Sequence, residues 1–279
     1  MIIILKKIWR HFYIKISTII FKYKHLNKEE HDFICKINGL KLKVNSHSVL
    51  AKPLYTNFGF EFEERKALKY LIKPGMIVLD IGANIGFYSI IFAKLVGNSG
   101  KVFSFEPYPF IADYLYDNIE LNNFTNIFVF KKAISDRNGL ADFYIFPSGQ
   151  DVYNSLGAKT RIVENIYATK QIKVETITID KFCEVNNLKK IDFIKIDVEG
   201  NEEKVLLGAQ NILKANKNII VMAELYEPSA IQCGCSCNRV ISFMKEMGFQ
   251  VYDVGNNGDL INISNKPSFD KKYYKIFKR

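Results

Sequence analysis

From Met76 onward, short apolar runs alternate with amphipathic stretches. The runs Met76–Ile81, Lys101–Phe105, Ile127–Ala133, Ile191–Ile196 and Ile219–Leu225 predict buried strands. Helical periodicity over Phe87–Val96, Phe110–Leu121, Ile179–Val185, Glu202–Lys214 and Asn238–Met247 predicts the helices among them. Leu140–Phe146 reads as an extra strand and Val174–Ile177 as extended chain, while residues 147–170 show no firm period and read as a long loop or lid. Phe249–Val254 and Leu260–Ile263, joined by the turn Gly255–Gly258, predict a terminal antiparallel hairpin. Repeated strand–helix units imply an α/β fold, a parallel sheet covered by helices on both faces, with ligands at the carboxyl ends of its strands.

The chain before Met76 has a different pattern. Ile34, Ile37, Leu40, Leu42 and Val44 alternate loosely with lysines around Asn38-Gly39, a strong hairpin turn pair. Glu61–Ile72 reads as a helix stopped by Pro74-Gly75. On a helix, Leu5, Ile8, Trp9, Phe12, Ile16, Ile19, Ile20 and Tyr23 share one face, opposite Lys6, Lys7, Arg10, His11, Lys15, Thr18 and Lys22. This basic amphipathic pattern over residues 1–24 suits an anionic membrane surface, and equally a helix packed on the body or on a second subunit. Interrupting lysines and the lack of a small-residue cleavage site set it apart from a signal peptide.

Composition narrows the class. With 279 residues, 48% hydrophobic and 24% charged, the chain suits one large globular domain with short appendages. No run of eighteen apolar residues is free of charge, so an ordinary membrane span is not expected. Residues 1–28 hold seven Lys/Arg and no acid, and residues 269–279 hold five Lys/Arg and one Asp. Of the net +10, the body between therefore carries about −1. A near-neutral body disfavours nucleic acid as a partner. The expected segments are a basic N-terminal segment 1–28, a hairpin and lead-in 29–60, a catalytic domain 61–265 and a basic tail 266–279. Five cysteines without a disulfide-like framework suggest a reducing cytoplasm.

Candidate chemistry begins at Val78-Leu79-Asp80-Ile81-Gly82-Ala83-Asn84-Ile85-Gly86-Phe87, which follows a strand and opens a helix. Glycines there allow a tight turn and close approach of a ligand. The spacing departs from the dinucleotide fingerprint G-x-G-x-x-G, and Asp80 would repel a pyrophosphate. It suits a ligand bearing an ammonium group, such as the amino-acid part of S-adenosylmethionine. Glu106, ending the second strand in Phe105-Glu106-Pro107, is placed to accept both hydroxyls of a ribose. Asp136, after the third strand, could accept from an adenine amino group or serve as a turn residue before Gly139. In Ile194-Lys195-Ile196-Asp197-Val198-Glu199-Gly200-Asn201, Lys195 and Asp197 face one side of a strand and Glu199 follows at its end. Buried strands rarely carry such charges without a partner or a purpose. Glu224 occupies the matching place on the next strand.

Together these motifs resemble the FkbM family of class I S-adenosylmethionine-dependent methyltransferases over roughly residues 60–265. The resemblance implies a Rossmann-like, doubly wound seven-stranded sheet, six strands parallel and the last antiparallel. It also implies O-methylation, often of a sugar or natural-product hydroxyl. By position, Asp80, Gly82, Asn84 and Gly86 would hold the methionine part, Glu106 the ribose and Asp136 the adenine. Asp197, with Glu199 and Glu224 behind it, would take the proton of the acceptor alcohol or help to bind a divalent cation, or Asp197 would instead order the cofactor as a binding residue. Any metal would involve Asp197. Asn201 is a departure, since the family often has His there.

Other signals weigh less. Cys233, Cys235 and Cys237 lack the further ligands of a zinc site and read as a reactive loop. His11, His25, His31 and His47 precede the core and read as surface residues. Tyr144, Phe146, Tyr153, Asn154, Ser155 and Tyr167 are candidates for lining an acceptor pocket. The expected function is cytoplasmic, S-adenosylmethionine-dependent O-methylation of a carbohydrate hydroxyl, on a sugar nucleotide or glycan precursor, near the inner face of the membrane. The rivals are a small natural-product O-methyltransferase and a non-catalytic S-adenosylmethionine-binding relative.

Overall fold

A computed structural model describes residues 13–56, 60–263, 269 and 273–279 of the chain. Helix α1 (residues 13–21) runs into a single π-helical turn, Lys22–Leu26. Hairpin strands β1 (Asp32–Ile37) and β2 (Leu40–Asn45) follow. Asn38 and Gly39 both take positive φ, 51° and 80°, as a tight two-residue turn between right-twisted strands requires. Helices α2 (Ala51–Thr56) and α3 (Phe62–Leu71) lead into the wound domain.

The wound domain opens with β3 (Ile77–Ile81), α4 (Phe87–Val96), β4 (Lys101–Phe105), α5 (Pro109–Leu121) and β5 (Ile127–Phe130). An excursion carries β6 (Ala133–Ile134), β7 (Gly139–Ile145), β8 (Ser155–Leu156), β9 (Thr160–Arg161), β10 (Ile166–Tyr167) and β11 (Lys170–Ile177). The winding resumes with α6 (Ile179–Val185), β12 (Phe193–Ile196), α7 (Glu202–Leu207), α8 (Gln210–Ala215) and β13 (Ile220–Leu225). It closes with α9 (Glu227–Gln232), α10 (Cys237–Glu246), β14 (Gln250–Val254), β15 (Leu260–Asn262) and β16 (Tyr273–Lys278).

Eight strands form the main sheet, in the order β15-β14-β16-β13-β12-β3-β4-β5. β5, β4, β3, β12 and β13 are mutually parallel. β16 runs antiparallel between β13 and β14, so β14 points with those five, and β15 adds an antiparallel edge. Strand alternation sends Val78, Phe193 and Met222 into the core on one face and Leu79, Ile194 and Val221 into the core on the other. Order reverses where β3, with β4 on one side, meets β12 on the other, and there a crevice opens at the carboxyl ends.

Several expectations change. The strand expected over Ile127–Ala133 stops at Phe130, because Ala133 and Ile134 leave to pair with β11 in a separate four-stranded sheet, β6-β11-β7-β8. The helix expected over Glu202–Lys214 is two helices. At the break, a Cβ on Gly208 would stand 2.2 Å from the Ser135 carbonyl oxygen, so the chain there has no room for a side chain. Within the segment expected as a basic tail, Tyr273–Lys278 is an interior strand, with Lys275, Ile276 and Phe277 buried. Its pattern misled because Lys275 is charged yet buried, its Nζ donating to Asp253 Oδ1 at 2.6 Å.

At the N-terminus, Leu5, Ile8, Trp9 and Phe12 lie outside the described residues. α1 packs through Ser17 and Phe21, and the Phe21 ring meets Phe33 of β1 and Tyr55 of α2. The expected apolar face, Ile16, Ile19, Ile20 and Tyr23, points to solvent. No helix among the described residues is long and apolar enough to cross a membrane.

Candidate active site

The crevice is a cleft of about 450 Å³. Gly82 and Asn84 of the β3–α4 loop, Glu106 after β4, Asp197 and Glu199 after β12, and Glu224 on β13 all line it. Six of the nine residues nominated from sequence thus converge on one space.

The glycine loop turns its own amides inward. Gly82 and Ala83 donate to the Phe105 carbonyl, Asn84 to Glu106 Oε2, Ile85 to Asn84 Oδ1, and Gly86 to the Ala83 carbonyl. With all five N–H groups spent, the loop is no phosphate cradle, in keeping with a ligand that is not a pyrophosphate. Gly82 takes φ 76°, and a Cβ on it would stand 1.8 Å from the Asp197 carbonyl oxygen. Glycine is needed here for backbone packing against the end of β12. Gly86 likewise makes room for Leu115 rather than for a ligand.

Glu106 is 6% exposed and accepts the amides of Asn84 (3.1 Å) and Tyr108 (2.9 Å). Burial pushes its carboxyl up to about 7, against the pull of those two donors. It lines the cleft, and each carboxylate oxygen has a second acceptor site.

Asp80 differs from expectation. It has no exposed surface and lies behind the cleft wall. Ser89 donates to its Oδ2 at 2.6 Å, and Ser104 donates to Ser89 in turn. The Lys195 ammonium is 3.8 Å from Oδ1. Asp80 therefore supports the floor and the lysine. Asp136 is also displaced: it is solvent-exposed, away from the cleft, because the chain after β5 has crossed to the second sheet.

Asp197 Oδ2 accepts from Lys195 (3.0 Å) and from the Tyr274 hydroxyl (2.7 Å). Lys195 is buried; burial alone would favour losing its proton, but Asp197 and Asp80 outweigh it and hold the lysine charged. Tyr88 and Tyr274 flank its ammonium. Asp197, Glu199 and Glu224 each offer one oxygen, all within 4.8 Å of one another, and these three could hold a cation.

The loop after β12 is strained and clasped. Glu199 takes φ 55°, and Glu202 Oε1 accepts the amides of Val198 and Gly200 from below. Arg161, 1% exposed, reaches from β9 to donate to the Glu199 and Tyr153 carbonyls. Asn201 reaches the opposite way, donating to the Leu156 carbonyl at 2.7 Å and contacting Cys233 Sγ. The position where the family often has His thus lies outside the cleft, tying down the excursion. Of the suggested acceptor-pocket residues, Tyr153 lines the cleft, whereas Tyr144, Phe146 and Ser155 are buried in the excursion and Tyr167 faces solvent. Cys233, Cys235 and Cys237 are buried, with burial raising the thiols to about 12 and about 11 for the first two and higher still for the third. They are packing residues and not a reactive loop.

The cleft residues that the sequence pattern does not single out include Glu61, Glu64, Tyr88, Glu164 and Tyr274. Glu61 precedes α3 with φ 47°, rare for a residue with a side chain. Tyr274 escapes because its strand reads, from its lysines, as a tail.

The sequence profile of the methyltransferase FkbM domain matches residues 80–251. A hexuronic acid methyltransferase, AglP, of Haloferax volcanii is 28% identical over 148 residues, 52% of this chain and 54% of that protein. The methyltransferase sdnD of Sordaria araneosa is 26% identical over 204 residues, 62% of this chain and 73% of that one. The chain thus spans little more than half of the archaeal relative. Among solved structures, a SAM-dependent methyltransferase from Aquifex aeolicus aligns with a TM-score of 0.44 at 17% identity, covering 78% of this chain and 90% of that one. The profile match runs from the acid before the glycine loop to the sixth parallel strand, taking in all the nominated carboxylates, and the chain belongs to the FkbM methyltransferase family.

Proposed function

We propose that this protein transfers the methyl group of S-adenosylmethionine to a hydroxyl of a carbohydrate, on a sugar nucleotide or a surface-glycan precursor. The observation that carries the reading is the convergence on one cleft of the Gly82–Asn84 loop and Glu106 with the Asp197–Glu199–Glu224 carboxylates. The cofactor would supply an electrophilic methyl on its sulfonium. Glu106 would accept from the ribose hydroxyls, and the Gly82–Asn84 backbone would carry the methionine portion. Asp197, oriented by Lys195 and Tyr274, would take the acceptor's proton, with Glu224 beside it. Clustered carboxylates are good acceptors for the several hydroxyls of a sugar, and one relative methylates a hexuronic acid.

Methyl transfer from labelled S-adenosylmethionine to a panel of sugar nucleotides, uronic acids and small natural-product alcohols tests this. Label on a sugar hydroxyl supports it, and label confined to natural-product alcohols, or no transfer by protein that binds the cofactor, overturns it. A second reading has a divalent cation held by Asp197, Glu199 and Glu224, favoured by their 4.8 Å grouping. Loss of activity in EDTA, restored by magnesium, would establish it.

We also propose that the N-terminal segment rests on an anionic membrane surface at the cytoplasmic side. The outward Ile16, Ile19, Ile20 and Tyr23, beside exposed Lys15, Lys22 and Lys24, support this reading. α1 packs on Tyr55 of α2, and Pro53 of the same helix lines the cleft, so a membrane-bound α1 would bring the cleft close to lipid.

A further inference from the structure

With Asp80 walled off, the ammonium group of a bound methionine moiety has no carboxylate at the place the sequence assigns to it. A cationic group entering the cleft needs a counter-charge and hydrogen-bond acceptors. Glu61 and Tyr88 both line the cleft, where Lys195, Asp197 and Glu64 are the charged groups that act on Glu61. Glu61 Oε2 and the Tyr88 hydroxyl are shielded from solvent and close enough to act on each other's protonation, yet neither meets a partner in full hydrogen-bond geometry among the described residues. Tyr88 as a whole is only 4% exposed. Two unsatisfied oxygens lining one cleft are costly, and their cost is removed by a donor. The backbone agrees: Glu61 is held at φ 47°, a strained conformation for a non-glycine residue.

We propose that Glu61, with the Tyr88 hydroxyl, is the counter-charge and acceptor for the ammonium of the cofactor's methionine moiety. This assignment rests on the S-adenosylmethionine reading above. Glu61 lies outside the segment 80–251 that defines the family match, whereas Tyr88 lies within it, so this part of the cofactor site draws on chain from both. An ammonium has three donors, enough to serve both oxygens at once. Burial pushes the Glu61 carboxyl up to about 8, against the pull of the Tyr88 hydroxyl, so in the free protein it is mostly protonated at neutral pH. An arriving cation favours the carboxylate. Cofactor binding is then accompanied by release of the Glu61 proton to solvent.

The test is calorimetric titration of S-adenosylhomocysteine and of 5′-methylthioadenosine into the full chain and into Glu61→Gln, at pH 7 in phosphate and in Tris. The second ligand keeps the adenine and ribose but lacks the ammonium. For the native protein, the buffer dependence of the heat should report release of about one proton with S-adenosylhomocysteine, because a carboxyl of pKa near 8 is about nine-tenths protonated at pH 7. Glu61→Gln should abolish that release and weaken S-adenosylhomocysteine roughly 10- to 100-fold, as for loss of a charged hydrogen bond. Its affinity for 5′-methylthioadenosine should be unchanged, which also shows that the variant is folded. Undiminished S-adenosylhomocysteine binding by Glu61→Gln overturns the assignment, as does an equal loss for both ligands. If the native protein binds neither ligand, the cofactor reading itself fails.

Discussion

Lys195 is a buried cation tied to two carboxylates, and Asp197 depends on it. One oxygen of Asp197 has two donors, Lys195 and Tyr274, which fix the side chain at the mouth of β12. If this carboxylate removes the acceptor's proton, Asp197→Asn should lower kcat by roughly 10²- to 10⁴-fold, the usual worth of a positioned base. The affinity for S-adenosylhomocysteine should stay within a few-fold, measured by titration. A second prediction concerns acid–base balance. Burial raises Glu61 to about 8 and Glu106 and Glu202 to about 7, from an ordinary 4.5. Between those limits the folded protein binds more protons than the unfolded chain. The stability from these groups is present in full below pH 4.5 and is lost as pH rises through 7 to 8. The urea midpoint should therefore fall from pH 5.5 to pH 8, and Glu202→Gln should flatten the fall.

At the scale of elements, the loop between β3 and α4 carries the tightest constraint. Gly82→Ala would drive a Cβ into the carbonyl of Asp197, so the loop or β12 must shift. Expression of folded protein, or S-adenosylhomocysteine binding by what folds, should drop sharply, whereas Gly97→Ala, whose Cβ meets nothing within 4 Å, should cost only the strain of its φ of 63°. Elements with one strong period were legible in the sequence: Phe87–Val96, Lys101–Phe105 and Ile179–Val185 stand where the pattern put them. Residues whose role depends on distant chain were not. Asp80 reads as a ligand from its place before the loop, and only Ser89 and Lys195 packed over it reveal that it is enclosed. Asp136 follows its strand at the right distance, yet a pairing with β11 carries that segment away. Glu61 has no motif around it, and only the fold brings it beside Tyr88, 27 positions later.

On the scale of the whole molecule, α1 and the cleft are joined through Phe21, Tyr55 and Pro53. Ile16→Ser/Ile19→Ser/Ile20→Ser removes the outward apolar stripe and spares the buried Phe21. This variant should lose co-sedimentation with vesicles containing phosphatidylglycerol yet keep its affinity for S-adenosylhomocysteine. Equal sedimentation of variant and native protein would remove the membrane from the account. The excursion between β5 and α6 is held by buried side chains from both directions, Arg161 onto Glu199 and Asn201 onto Leu156, so it forms a fixed wall of the cleft.

The position of β16 has a consequence for how the protein is made. The strand lies between β13 and β14, both of which leave the ribosome before it. Until Tyr273–Lys278 emerges, β13 presents a bare apolar edge, β14 has no place in the main sheet, and Asp197 lacks one of its two donors. The nascent chain must pass through a stage in which most of its sequence exists and its sheet cannot close. A chaperone that covers unpaired edges would have its longest engagement there, and premature termination anywhere after β14 would release a chain prone to pair with its neighbours.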